Sequence, residues 1–184
     1  MIEVIRVATK STDFKKINHV YKAVFPKNER LPLSFLRMRA KAGKAEFCSI
    51  YDQQKWVGFF YTVFDRRIAY IFFLAIDPYY HSRGYGSATL AAIKKRYANK
   101  LVTLSTERID PIAVNNSQRI RRQQFYINNG FEKTGFYTIE KDNEKFDLMS
   151  QQQSMVNPQL FQQLMNRFLT NRHRHYMPFK IISE

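Results

Sequence analysis

Two periodicities alternate along the chain. "IEVIRVA" gathers β-branched residues as strands do, and "STDFKKINHVYKAVF" then puts Phe14, Ile17, Val20, Tyr21 and Val24 at helical spacing behind a Ser/Thr/Asp cap. Pro26 and Pro32 bracket a loop, "PKNERLP", after which "SFLRMRAKAGKA" predicts a short basic helix closed near Gly43. Three strand-like runs follow, "EFCSIYD", "KWVGFFYTVF" and "RIAYIFFLAI", and the connections "QQ" and "DR" are short enough for antiparallel hairpins. Leu90, Ile93, Tyr97 and Leu101 then continue a helical stripe, and "LVTLSTE" reads as a strand. "NNSQRIRRQQFYINNGF" predicts a helix capped by Asn116 or Ser117 and ended at Asn129-Gly130. "KTGFYTIE" and "EKFDLMS" form a last hairpin around Lys141, Asp142 and Asn143. From Gln151 the character changes: "QQQSMVNPQLFQQLMNRFL" holds an amphipathic helix, and "TNRHRHYMPFKIISE" is a basic, aromatic tail. This order predicts an α/β (α+β) fold with a mixed, mostly antiparallel sheet of about six to seven strands flanked by helices. One domain is expected over residues 1–150, with residues 151–184 packing on it or on a partner subunit, as a monomer or a homodimer.

Charge narrows the partners. Thirty Lys and Arg against fifteen Asp and Glu give +15, which favours anionic partners: phosphorylated cofactors, nucleic acid, acidic substrates or an anionic membrane surface. Residues 1–45 hold eleven Lys or Arg and three acids, 11 minus 3, so +8 falls in the first quarter. No apolar run approaches the roughly 20 residues that span a bilayer, and the first residues lack the features of a signal peptide, so a cytoplasmic protein with no membrane partner is expected. Cys48 is the single cysteine; it predicts no intramolecular disulfide and no thiolate metal cluster, and it reads as a buried hydrophobe.

The chemistry concentrates in "AIDPYYHSRGYGSATL", Ala75 to Leu90. A strand running through a turn with Gly84 and Gly86 into a helix offers backbone N–H groups at the positive end of the helix dipole, which is an anion site. The glycines let a phosphate approach, and Arg83 and His81 add charge. The spacing is neither that of a P-loop nor that of the dinucleotide fingerprint, which needs a third glycine where Thr89 stands.

Taken with "FYINNGF" about forty residues downstream, this stretch resembles the GCN5-related N-acetyltransferase (GNAT) superfamily: the first segment is similar to its motif A, the second to its motif B. The resemblance spans residues 1–150 and implies the GNAT acyl-CoA acyltransferase fold with an extra C-terminal helix, acetyl-CoA as acyl donor, no metal, and transfer of acetyl to a primary amine of a small molecule or of a peptide or protein. It places the pyrophosphate on the amides of Arg83, Gly84, Tyr85, Gly86 and Ser87, and pantetheine along the backbone of Leu74, Ala75 and Ile76. An amide of Leu74 or Ile76 would polarise the thioester carbonyl. Tyr126 matches the motif B tyrosine that faces the CoA sulfur and could protonate the leaving thiolate. His81 replaces the usual Gln or Arg of motif A. Arg119 and Arg122 fall where motif B has Asn and Ala, and their charge could serve the phosphates.

For the acceptor, Glu107, at the end of a strand, and Glu29, in the Pro-bracketed loop, are the carboxylates placed to deprotonate an amine. The basic first quarter argues against a polyamine-like acceptor and for one that is anionic or macromolecular. Two other readings remain. One is nucleic-acid binding through Arg172, Arg174 and Lys180 with Tyr176 or Phe179 stacking, where His173 and His175 have no further metal ligand nearby. The other is a GNAT-like protein that binds acyl-CoA without catalysis.

Overall fold

The computed structural model describes residues 2–7, 11–140, 143–152, 156–170 and 180–184. The tail residues Arg172, His173, Arg174, His175, Tyr176 and Phe179, and Lys141 and Asp142 of the last hairpin, lie outside the described residues. Among the described residues eight strands, β1 (Ile2–Arg6), β2 (Ala45–Asp52), β3 (Lys55–Phe64), β4 (Ile68–Ile76), β5 (Leu101–Glu107), β6 (Glu132–Ile139), β7 (Lys145–Ser150) and β8 (Lys180–Ser183), are ordered β1-β2-β3-β4-β5-β7-β6-β8 in one sheet. Among the described residues the α-helices are α1 (Asp13–Val24), α2 (Leu33–Lys41), α3 (Tyr85–Arg96), α4 (Asn116–Asn128) and α5 (Pro158–Phe168). The pairs β1/β2, β2/β3, β5/β7, β6/β7 and β6/β8 are antiparallel, so the predicted fold class holds. No helix among the described residues is long and apolar enough to cross a membrane.

The chain divides into two compact units: residues 1–65 with 71–98, and residues 66–70 with 99–184. In the first, α1 turns Ile17, Val20 and Tyr21 inward, and α2 buries Phe35 and Leu36. Their partners on the strands are aromatic. Tyr21 meets Phe73 edge-on at 4.9 Å, and Phe47 meets Tyr61 at 4.5 Å, contacts that add directional stabilisation to apolar burial. Buried Asp13 fastens the start of α1 to the sheet by accepting from Ser49 Oγ at 2.7 Å and Tyr51 Oη at 2.8 Å.

In the second unit, α5 buries Phe161, Leu164, Met165 and Phe168, and the Phe161 ring stands edge-on to Tyr70 at 4.9 Å. The apolar face of the C-terminal helix is therefore covered within its own chain. The eighth strand was not expected. Residues 180–183 pair with β6, Ile181 opposite Thr138 and Ile182 opposite Tyr137; four residues at the end of a basic tail are too few to show a period of two. The predicted stripe also stops early. Tyr97 ends α3, and Leu101 is buried as the first residue of β5.

A buried acid ties α3 to the sheet. Arg96 donates to both Glu46 oxygens at 2.9 Å, and the Tyr97 hydroxyl donates to Oε1. Burial alone would raise the Glu46 pKa, but the Arg96 fork and the Tyr97 hydroxyl outweigh it and hold the carboxyl below its ordinary 4.5. Burial pushes the neighbouring Cys48 thiol up to about 12, which leaves it inert as a nucleophile. Because the folded Glu46 pKa is depressed, its stabilisation is complete above the unfolded value and is lost as pH falls through the folded one. Glu46→Gln should lower stability at neutral pH by about 1–3 kcal/mol, discounted for the partial exposure of Arg96. In denaturant unfolding at a series of pH values, the gap to wild type should close in acid; a constant gap would exclude this linkage.

Candidate active site

The predicted anion site lies in the first unit, where β4 runs into α3. At the end of β4 the backbone of β3 comes close: the register between β2 and β3 skips Val57, and the Val57 carbonyl accepts from Asp77 N–H at 2.9 Å. A Cβ on Gly58 would stand 2.3 Å from the Ala75 carbonyl oxygen, so this position excludes every side chain. Strand alternation then settles the direction of the β4 amides. Ala75 turns its carbonyl towards β3, while Leu74 and Ile76 direct their N–H groups away from it. Of the three residues expected along pantetheine, Leu74 and Ile76 turn their amides to the side of β4 away from β3; Ala75, which is buried, packs against β3.

Asp77 shapes the turn that follows. Its carboxylate accepts from Tyr79 N–H at 3.0 Å and caps the short 3-10 turn Pro78–Tyr80. His81 Nε2 lies 2.8 Å from the Ile76 carbonyl, which can only accept, so the proton is on Nε2 and the imidazole latches the turn to the strand. Next, Ser82 (φ +60°) and Gly84 (φ +79°) both enter the left-handed region. Gly84 is the N-cap of α3, and the first intrahelical bond runs from Ala88 N–H to its carbonyl at 3.0 Å. The amides of Tyr85, Gly86 and Ser87 thus precede the helical ladder and end on an exposed turn with open space within 4 Å of a Cβ on Gly84. Arg83 lies over the rings of Tyr79 at 5.3 Å and Tyr80 at 5.7 Å, and the Tyr85 hydroxyl donates to Asp52 at 2.8 Å. Tyr79 and Tyr80 stand in the same stretch of sequence, but their contact with Arg83 was not foreseen, and Asp52 comes to the turn only through the fold.

The second unit holds the motif B residues. Tyr126, on α4, meets Phe125 at 5.2 Å and Phe131 at 6.2 Å, both edge-on. Burial raises its phenol pKa above the ordinary 10.0, with Arg122 pulling the other way, so the hydroxyl keeps its proton at neutral pH. Glu107 does not stand alone. Arg122 donates to its Oε2, Asn115 Nδ2 donates to Oε1 at 3.0 Å, and Arg119 Nε lies 3.8 Å from Oε1. Arg119 is buried, and its guanidinium donates to Asn115 Oδ1 at 2.8 Å and the Arg108 carbonyl at 3.0 Å. Its charge is spent inside the unit, whereas Arg122 is about half exposed at its side chain, 45%. Asn115, not Asn116 or Ser117, is the N-cap of α4 and makes no side-chain cap bond; both expected caps lie inside the helix, and Asn116 Oδ1 accepts from Asp110 N–H at 3.1 Å. Glu29, back in the first unit, is half-buried in the loop that Tyr21 pins by both donating to and accepting from Leu31.

The family model described as an acetyltransferase (GNAT) domain matches residues 43–133, which include the turn and α4. Among curated protein sequences none matches significantly. The fold is similar to that of a Bacteroides thetaiotaomicron protein assigned to the GNAT family of acetyltransferases, with a TM-score of 0.69 at 23% identity over 80% of this chain and 85% of that one. It is similar to an aminoglycoside 6'-N-acetyltransferase in complex with coenzyme A, TM-score 0.61 at 11% identity over 80% and 95% of the two chains. A spermidine N-acetyltransferase from Vibrio cholerae gives 0.58 at 14% identity over 90% and 97%. At these identities the likeness establishes the fold.

Two substitutions separate conformation from space at the site. At Gly84 the cost is conformational alone: Gly84→Ala should lose about 1 kcal/mol in denaturant unfolding, and Gly84→Asn, which tolerates the left-handed region, clearly less. Gly58→Ala should cost about 1–3 kcal/mol by forcing β3 from β4. A Gly58→Ala variant as stable as wild type would show that the strands part freely there.

Proposed function

The chain belongs to the GNAT acetyltransferase family, and on that premise we propose that it transfers acetyl from acetyl-CoA directly to a primary amine. The observation that carries this reading is the turn itself: left-handed Ser82 and Gly84, then helix-terminal amides with open space before them. That cradle suits a pyrophosphate, whose charge the amides of Gly84, Tyr85, Gly86 and Ser87 would meet beside Arg83.

Bound acetyl-CoA supplies the thioester carbonyl that an amine attacks. The outward N–H of Leu74 or Ile76 donates to that carbonyl oxygen as charge develops on it. The Tyr126 phenol, kept protonated by burial, gives its proton to the departing sulfur. Of the motif B arginines, Arg122 keeps the exposed side chain that a phosphate could meet, whereas Arg119 positions Asn115 and Glu107. Glu29 takes the acceptor's proton. Glu107, with both oxygens held by Arg122 and Asn115, is already engaged and anchors the start of α4.

The structural neighbours named above act on aminoglycosides and on spermidine, both polycations. The +8 carried by residues 1–45 favours a different acceptor here, an amine on an anionic small molecule or on a peptide or protein.

Incubation with acetyl-CoA and a broad pool of amines, peptides and cell extract should release CoA thiol. Tyr126→Phe should lower kcat by about 10²–10⁴ while leaving acetyl-CoA binding intact. Absence of acetyl-CoA binding at low salt would overturn the reading; full turnover by Tyr126→Phe would remove only the proposed acid.

A further inference from the structure

The first unit contains a cleft of about 530 Å³ that the transfer reaction does not use. One wall is the exposed face of α1, with Lys15, Lys16 and His19; the other is aromatic, with Trp56 from β3 and Tyr79 and Tyr80 from the 3-10 turn. The volume suits a small ligand.

Its two walls differ in chemistry. Tyr79 is 73% exposed, a large ring left in water on a structured turn, and such exposure is informative where it borders a cavity. Lys15 and His19 stand four residues apart on one helix face, and Lys16, within 3.9 Å of Asp13, lies over Tyr51 and Trp56 at about 6 Å. Among the described residues Asp77 is the one acid lining the cleft, and its carboxylate is engaged by the Tyr79 amide.

We propose that this cleft binds a planar ring carrying a negatively charged group, the ring against the exposed Tyr79 and the charge against Lys15 and His19, with the buried Trp56 at the cleft wall. Stacking on an aromatic side chain supplies affinity for the planar group, and the cations supply the selectivity for an anion. Two sources share this chemistry, a nucleoside monophosphate and an aromatic carboxylate. The site stands on its own geometry and does not depend on the transferase reading.

Trp56 is the single tryptophan of the chain, so its fluorescence reports on the cleft directly, without acetyl-CoA. Titration of the full chain with adenosine monophosphate and with phthalate should give saturable quenching by at least one, and which of them quenches identifies the source. Adenosine and inorganic phosphate, each with half of the chemistry, should bind about tenfold more weakly or worse. Lys15→Glu/His19→Glu and, separately, Tyr79→Ala, both checked for folding by circular dichroism, should each weaken binding about tenfold. No saturable quenching by either probe, quenching by adenosine equal to that by its monophosphate, or binding untouched by both variants would overturn the proposal.

Discussion

The first unit depends on one close approach. Where Gly58 meets the Ala75 carbonyl, β3 and β4 come nearer than any side chain allows, and the rest of the site follows from that contact. With Ala75 facing β3, the alternation of an extended strand leaves Leu74 and Ile76 no choice but to point their amides the other way. The next residue, Asp77, bonds back to Val57 and caps the 3-10 turn. From there His81 latches onto Ile76, and the chain passes through two left-handed residues into α3. The exposed amides at the start of that helix are thus aimed by a backbone packing constraint eight residues or more upstream.

A second theme is where the acids go. Although the chain carries +15, Asp13, Glu46, Glu107 and Asp147 are all buried. Each is bound by hydroxyls, amides or cations: Ser49 and Tyr51 on Asp13, Arg96 on Glu46, Arg122 on Glu107, Gln123 and Lys133 on Asp147. Removing one partner of such a group strands the other without solvent, which is why these pairs hold helices to strands more firmly than exposed ones do. Spending acids inside also leaves the surface more cationic than the net charge suggests. The cleft beside α1 and the anion turn are two places where that surplus meets aromatic rings.

The long elements were legible because burial writes a period into the chain. The stripe of Phe14, Ile17, Val20 and Tyr21 foretold α1, the runs from 45 to 76 foretold three strands, and the glycines at 84 and 86 foretold the turn into α3. What failed to show was anything that depends on a partner far along the chain. Arg119 and Glu107 look like available charges in sequence, yet each is committed to a neighbour that folding supplies. Residues 180–183 look like a tail, yet they find an edge at β6.

By itself, then, the sequence determined the order and kind of the elements, the turn residues that permit left-handed backbone, and the excess of positive charge, since each is a local property of the chain. The tertiary structure decided which amides of β4 face outward, which charges are already satisfied, and that Tyr79, Trp56 and the lysines of α1 share one cleft. These depend on strand register and packing between distant segments, and no local pattern encodes the position of a partner that is far away along the chain.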